Sequence, residues 1–288
     1  MYDVIIIGAG PAGISASLYT KRGNLKTLVI YNDISSLEKA EKIDNYYGFD
    51  NGISAKKLYY NGIRQAQNLG VEVKNEEVLR IEVIDNTIKV KTINSEYNSK
   101  VLILATGNKK NSPNIKGIKE FEGRGISYCA ICDGFFYRGK NVAIIGSGNY
   151  AVSEANDLIN LTNNITILSN GKKAPEIRAD NVNTNEKVIK EIRGEKRVEE
   201  VEFIDNTVLK IEGIFIAEGV AGSIEFAQKL GVLTQNNKIK INEKMETNIP
   251  GIYACGDCTG GLLQVSKSVY EGTIAGLEAI KYLKNCKN

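Results

Sequence analysis

The sequence predicts an α/β protein of two three-layer domains, the second inserted into the first. Three observations predict it. An apolar strand runs into a glycine-rich turn and a helix at Val4 to Gly13, a second unit of the same kind lies at Asn141 to Ala151, and a late strand and long helix resume the first domain's pattern. At 288 residues the chain is long enough for two packed domains, and its 42% hydrophobic and 25% charged residues are those of a fold that needs no staples.

The first strand, Val4 to Ile7, enters Gly8-Ala9-Gly10-Pro11-Ala12-Gly13, continues as a helix to about Tyr19, and is followed by a strand at Thr27 to Tyr31. This is a βαβ unit of the Rossmann-like kind. The second unit has a strand at Asn141 to Ile145, the turn Gly146-Ser147-Gly148-Asn149-Tyr150-Ala151, a helix to about Leu161 and a strand at Ile165 to Leu168. Between the units, Val78 to Ile84 and Thr87 to Ile93 alternate apolar and polar side chains around Asp85-Asn86, a β-hairpin signal. Val101 to Leu104, ending at Ala105-Thr106-Gly107, closes the first sheet. Val198 to Ile204, Thr207 to Ile211 and Gly213 to Ala217 read as a strand cluster in the second domain. A strand at Gly251 to Ala254 and a helix from about Gln264 to Leu283 return to the first. The expected domains are therefore 1–112 with 242–288, and an insertion at 113–241 whose two crossings act as hinges.

Gly8 to Gly13 sets a tight glycine turn at a helix N-terminus, where free N–H groups and the helix dipole hold a pyrophosphate. Asp33 lies about 20 residues past the last glycine, where a ribose-binding acid is expected. The ribose contact falls either to Asp33 or to the backbone near Tyr31 and Asn32.

Composition narrows the chemistry. A net charge of +3 against 37 basic and 34 acidic side chains gives no argument for nucleic acid. The absence of histidine removes the usual proton carrier and the commonest metal ligand, leaving acid/base steps to Asp, Glu, Cys, Lys, Tyr or water. No leader segment and no apolar run of about 20 residues is visible, so a cytoplasmic protein is expected. Five cysteines are too sparse for a secreted scaffold, and C-x-x-C spacing points to redox or metal chemistry.

Cys129-Ala130-Ile131-Cys132 is followed by Asp133-Gly134 and the aromatic run Phe135-Phe136-Tyr137, read as a continuing helix. A cysteine at a helix N-terminus has a stabilised thiolate. Asp133 is the natural proton donor or acceptor for the departing thiol. A zinc site would need Cys255 and Cys258 as its other half, but that pair is embedded in a strand-end Gly256-Asp257 element, so no metal is expected.

Taken in order, Gly8-x-Gly10-x-x-Gly13, Ala105-Thr106-Gly107, Cys129-x-x-Cys132-Asp133-Gly134, Gly146-x-Gly148-x-x-Ala151 and Tyr253-Ala254-Cys255-Gly256-Asp257 resemble the low-molecular-weight thioredoxin reductase family along essentially the whole chain. The resemblance implies FAD as cofactor, with Gly8, Gly10, Pro11, Ala12 and Gly13 at its pyrophosphate. It places Asn45 near the flavin, Gly256 and Asp257 at the ribityl or phosphate region, and the backbone of Gln264 and Val265 at the isoalloxazine. It makes Cys129 and Cys132 the redox pair, Cys132 facing the flavin and Cys129 the substrate, and implies a homodimer with thioredoxin as partner. Cys255 and Cys258 become small buried residues, and Cys286 an inert terminal thiol.

The chain departs from the NADPH-dependent members. Their H-R-R-x-x-x-R block is replaced by Ser169-Asn170-Gly171-Lys172-Lys173-Ala174, with no arginine before Arg178. Each lost charge-assisted bond is worth roughly 1.5–3 kcal/mol, so two or three weaken NADPH about a thousandfold or more. Neither Ser169 nor Asn170 is the acid that NADH needs. Tyr150 brings a ring that can crowd a pyrophosphate, and Glu218-Gly219-Val220-Ala221-Gly222 lacks the family's G-x-x-P-N. The pattern resembles the ferredoxin-dependent flavin thioredoxin reductases, which implies reduced ferredoxin as electron donor. Lys187, Lys190, Arg193, Lys196 and Arg197 are either a steering patch for that acidic donor or a solvated face. The alternatives are NADPH as donor, with Lys172 and Lys173 replacing the arginines, a ferredoxin–NADP reductase, which the C-x-x-C argues against, or a non-catalytic flavin-binding redox sensor.

Overall fold

The computed structural model describes residues 1–32, 37, 41–107, 113–219 and 221–286. Asp33 lies outside them. The chain forms two compact units, Met1–Lys109 with Gly222–Asn288, and Lys110–Ala221. The return to the first unit thus begins at Gly222, before the helix Ser223–Lys229, whereas the sequence reading set it at 242.

In the first unit the strands Glu72–Asn75, Thr27–Tyr31, Tyr2–Ile7 and Glu96–Leu104 lie side by side and parallel. The long strand Glu96–Leu104 serves two neighbours. Its first half pairs antiparallel with Thr87–Thr92, which continues to Val78–Ile84, and its second half pairs parallel with Ile252–Ala254. Asp85 and Asn86 both take left-handed backbone, φ 48° and 58°, as a two-residue hairpin turn that follows strand twist requires. Val4, Ile5, Ile6, Leu28, Val29, Ile30, Leu102 and Ile103 are wholly buried, the continuous apolar pattern of strands covered on both faces.

The helix Pro11–Arg22 packs on the last helix, Val265–Asn285, at unusually short range. A Cβ on Gly272 would lie 2.1 Å from the Ala12 carbonyl oxygen, and one on Gly276 2.7 Å from that of Ala16. The Ser15 hydroxyl donates to the Val269 carbonyl at 2.9 Å. Glycine, alanine and serine line this contact because nothing larger fits.

The second unit carries a parallel sheet in the order Val182–Asn185, Asn164–Leu168, Asn141–Ile145, Gly213–Ile216, Ile126–Ser127. Gly213–Ile216 therefore belongs to this sheet, not to the strand cluster the sequence suggested. The cluster is an antiparallel sheet of Ile189–Arg193, Glu200–Phe203 and Val208–Lys210. Its inward side chains, Ile189, Ile192, Val201 and Phe203, join a core with Ile126, Ala143, Ile145, Leu168 and Ile214. Its outward charges pair among themselves: Lys187 with Asp205, Lys190 with Glu202, and Arg193 with Glu200 and Glu202. Three of the five candidate steering cations are so paired, and exposed single pairs contribute little to stability.

Candidate active site

Around the first glycine turn every close approach is of backbone on backbone. Gly8 has φ +114°, and a Cβ there would lie 2.3 Å from the Ala105 carbonyl oxygen; a Cβ on Gly13 would lie 1.9 Å from the Gly8 carbonyl oxygen. Gly10 is the N-cap of the helix that opens with Pro11, and no side chain caps it. Lys21 and Arg22 sit in the last turn, so the helix keeps its positive end open and its negative end neutralised. The turn fits a pyrophosphate.

Gly256 takes φ 83° and ψ −156°, a conformation essentially restricted to glycine, and a Cβ there would lie 2.9 Å from the Ala12 Cβ. That contact sets Asp257 beside the start of the glycine-turn helix. The loop is clamped from the last helix: Glu271 accepts from the Gly256 N–H at 2.8 Å and the Thr259 hydroxyl at 3.0 Å, while Lys267 donates to the carbonyls of Gly256 and Gly260 at 2.8 and 2.7 Å. Lys267 and Glu271 pair at 2.9 Å with both side chains largely buried. The sequence offered no sign of this clamp beyond an i,i+4 Lys and Glu. Asn45 Nδ2 donates to Gln264 Oε1 at 3.0 Å, so two residues 219 apart in sequence meet, next to Val265 at the start of the last helix.

Cys255 and Cys258 are reduced, with no exposed surface, and burial pushes the Cys255 thiol well up and the Cys258 thiol up to about 12. Both thiols are therefore held in the protonated form at neutral pH.

In the second unit Cys129 and Cys132 form a disulfide. Cys129 is buried, 4% exposed, and Cys132 is exposed. Cys129 caps the short helix Ala130–Asp133, its sulfur accepting the Cys132 N–H at 3.1 Å. The aromatic run is not a continuing helix but a tight 3-10 turn, Gly134–Tyr137. A Cβ on Gly134 would lie 2.8 Å from Leu158 Cδ2, so the segment lies close on the helix Asn149–Leu158. The turn leaves Phe135 and Phe136 66% and 70% exposed beside the half-exposed Ile131, an apolar patch at the disulfide that sequence periodicity did not reveal. Ser127, also missed, donates its hydroxyl to Asp133 Oδ2 at 2.7 Å and accepts the Cys129 N–H at 3.1 Å. Asp133 is thereby tied to the backbone of the buried cysteine. Burial first, then the charge of Asp133, raises the Tyr137 phenol.

The second glycine turn repeats the geometry of the first. A Cβ on Gly146 would lie 2.2 Å from the Ala217 carbonyl oxygen, and Ala217-Glu218-Gly219 stands where Ala105-Thr106-Gly107 stands in the first unit, with φ 72° at Gly219 and 74° at Gly107. The crevice above it differs. Ser169 is buried and its hydroxyl donates to the Lys172 carbonyl at 2.6 Å; Asn170 Oδ1 accepts the Ile189 N–H at 2.8 Å. Lys172, after the strand Asn164–Leu168, forms an ion pair with Glu218, after Gly213–Ile216. These strands flank Asn141–Ile145, about 10 Å apart, so the pair bridges the mouth of the glycine turn. Lys172 is thus engaged by a carboxylate in this structure. Tyr150 does not project over the turn: its ring is buried, 2% exposed.

Among the described residues no helix is long and apolar enough to cross a membrane. Residues 2–272 match the family described as pyridine nucleotide-disulphide oxidoreductase. Thioredoxin reductases of Listeria innocua and Bacillus subtilis are each 34% identical, over 100% and 99% of this chain and 95% of theirs. The atypical thioredoxin reductase TRi of Desulfovibrio vulgaris Hildenborough is similar with a TM-score of 0.92 and 36% identity, over 99% of both chains. A ferredoxin-flavin thioredoxin reductase of Clostridium acetobutylicum is similar with a TM-score of 0.72 and 34% identity, over 99% of this chain and 98% of that one.

Proposed function

Because the chain belongs to the pyridine nucleotide-disulphide oxidoreductase family, and within it to the FAD-binding thioredoxin reductases, we propose that it reduces thioredoxin through Cys129 and Cys132 with electrons from reduced ferredoxin. The observation that carries the choice of donor is the crevice of the second unit. The Lys172–Glu218 ion pair bridges it, the Ser169 hydroxyl is turned inward, and no arginine stands where a 2′-phosphate would need one. NADPH remains the second reading, favoured by the intact backbone geometry at Gly146.

FAD, when bound, would supply the electron pair that reduces the disulfide. Gly8, Gly10, Pro11, Ala12 and Gly13 would hold its pyrophosphate, Gly256 and Asp257 the adjoining chain, and Asn45, Gln264 and Val265 the ring system. The pair of electrons breaks the Cys129–Cys132 bond, and Asp133, oriented by Ser127, delivers a proton to one sulfur. The remaining thiolate attacks thioredoxin's disulfide, forming a mixed disulfide and expelling a thioredoxin thiolate. The second cysteine, deprotonated by Asp133, then attacks the mixed disulfide, restoring the Cys129–Cys132 bond and freeing reduced thioredoxin. Ile131, Phe135 and Phe136 give the partner an apolar surface beside the sulfurs.

Anaerobic flavin reduction, followed with NADPH, NADH and reduced ferredoxin side by side, tests the donor. Ferredoxin bleaches the flavin and supports thioredoxin turnover; prompt bleaching by stoichiometric NADPH refutes the assignment.

A further inference from the structure

Glu154 is the most deeply buried carboxyl among the described residues, 0% exposed against 8% for Glu202 and Glu271 and 9% for Glu77. It sits on Asn149–Leu158, the helix that follows the second glycine turn, and no step above uses it. Its Oε2 accepts the backbone N–H of Ala130 at 2.8 Å. Ala130 follows Cys129 directly and is itself wholly buried. Covalent geometry then holds the carboxyl within about 7 Å of the Cys129 sulfur.

A buried acid persists only if something favours it. Burial alone favours the neutral carboxyl, and the N–H that Ala130 donates favours the ionised one. Glu154 thus stands where a thiolate on Cys129 would also be stabilised, by the Cys132 N–H. Two negative charges so close oppose each other.

We propose that Glu154 is a positioning residue that also makes the Cys129/Cys132 couple more reducing. Reduction adds two electrons to the disulfide and, when Cys129 stays a thiolate, one proton to Cys132. A fixed carboxylate beside Cys129 disfavours that thiolate, hence the reduced state, and leaves the disulfide form relatively favoured. A couple whose reduced form is less stable has a lower potential, which drives electrons outward to a substrate disulfide. The glycine-turn helix of the second unit, whatever it does for a nucleotide, thereby serves the dithiol.

The test is Glu154→Gln in the full-length holoprotein, which keeps an oxygen for the Ala130 N–H and removes the charge. The disulfide is equilibrated at pH 8 against dithiothreitol buffers of known ratio, and the reduced fraction is read by thiol labelling. The expected result is an equilibrium about tenfold further toward the dithiol, about 30 mV more oxidising. A faster alkylation of Cys129 accompanies it. Glu154→Met, of similar volume and without charge, gives the same shift and lowers the melting temperature through the unbonded N–H; it carries the test if the glutamine variant does not fold. A potential within twofold of the unchanged protein in the folded variant, or a shift with Met but not Gln, overturns the proposal.

Discussion

Gly13→Ala is expected to cost the protein both stability and cofactor. The new Cβ would lie 1.9 Å from the Gly8 carbonyl oxygen and 3.3 Å from Ile6 Cγ2, so the helix Pro11–Arg22 must withdraw by more than 1 Å to reach a contact distance near 3.2 Å. It has nowhere to go: Gly272 and Gly276 of the last helix lie against Ala12 and Ala16 from its other side. Overpacking of this kind costs about 1–3 kcal/mol. In a unit of this size that lowers the melting temperature by about 2–4 °C per kcal/mol. The N–H groups that face the pyrophosphate move with the helix, and losing the geometry of one or two charge-assisted bonds weakens FAD by about ten- to a thousandfold. Flavin fluorescence titration of the apoprotein and thermal denaturation read the two effects. The second unit supplies a control, because the equivalent position is already Ala151, wholly buried, and Ala151→Gly leaves FAD affinity unchanged. If Gly13→Ala binds FAD within threefold of the parent and melts within 1 °C, the reasoning from backbone contact is wrong.

Phe135→Ala and Phe136→Ala should each raise the KM for thioredoxin about five- to thirtyfold, as truncated aromatic anchors do, without moving the melting temperature, because both rings are largely exposed; an unchanged KM would remove them from docking. The first unit should lose stability on the alkaline side. The folded Cys258 thiol ionises at about 12 and its unfolded counterpart near 9.0, so its contribution is complete below pH 9 and falls as pH rises toward 12. The loss is at most about 1.4 kcal/mol per pH unit for each such thiol. Urea unfolding of wild type and Cys258→Ala across pH 8 to 10 measures this, and equal slopes for the two would contradict it.

Both glycine turns, the Asp85-Asn86 hairpin and the cysteine pair were legible because each is a local pattern with a local cause. Gly213 to Ile216 was readable as a strand but not as a neighbour of Asn141 to Ile145, since a short apolar run names no partner. Ile189 to Arg193 was missed because its alternating Lys, Glu and Arg residues pair with those on Glu200–Phe203, and the sequence shows only a charged stretch. The meeting of Asn45 with Gln264 is a long-range contact that no local pattern reports, although the resemblance implied that each lies near the flavin. Glu154 looks like any surface glutamate on a helix, and its burial follows from the cysteine segment lying on top of it, which no periodicity reports. Tyr150 misled because a ring beside a glycine turn suggests obstruction, whereas its helical position turns it into the core.

The tight seating of the last helix on the first has a consequence for the order of biosynthesis. A ribosome releases the first glycine turn before the inserted unit, yet the strand Ile252–Ala254 and the helix Val265–Asn285 that complete its surroundings emerge after that unit. The intervening unit has both of its boundaries outside the tunnel before then, and domains generally fold as units during synthesis. The first glycine turn therefore gains its native surroundings only after Ile252–Ala254 and Val265–Asn285 have been made.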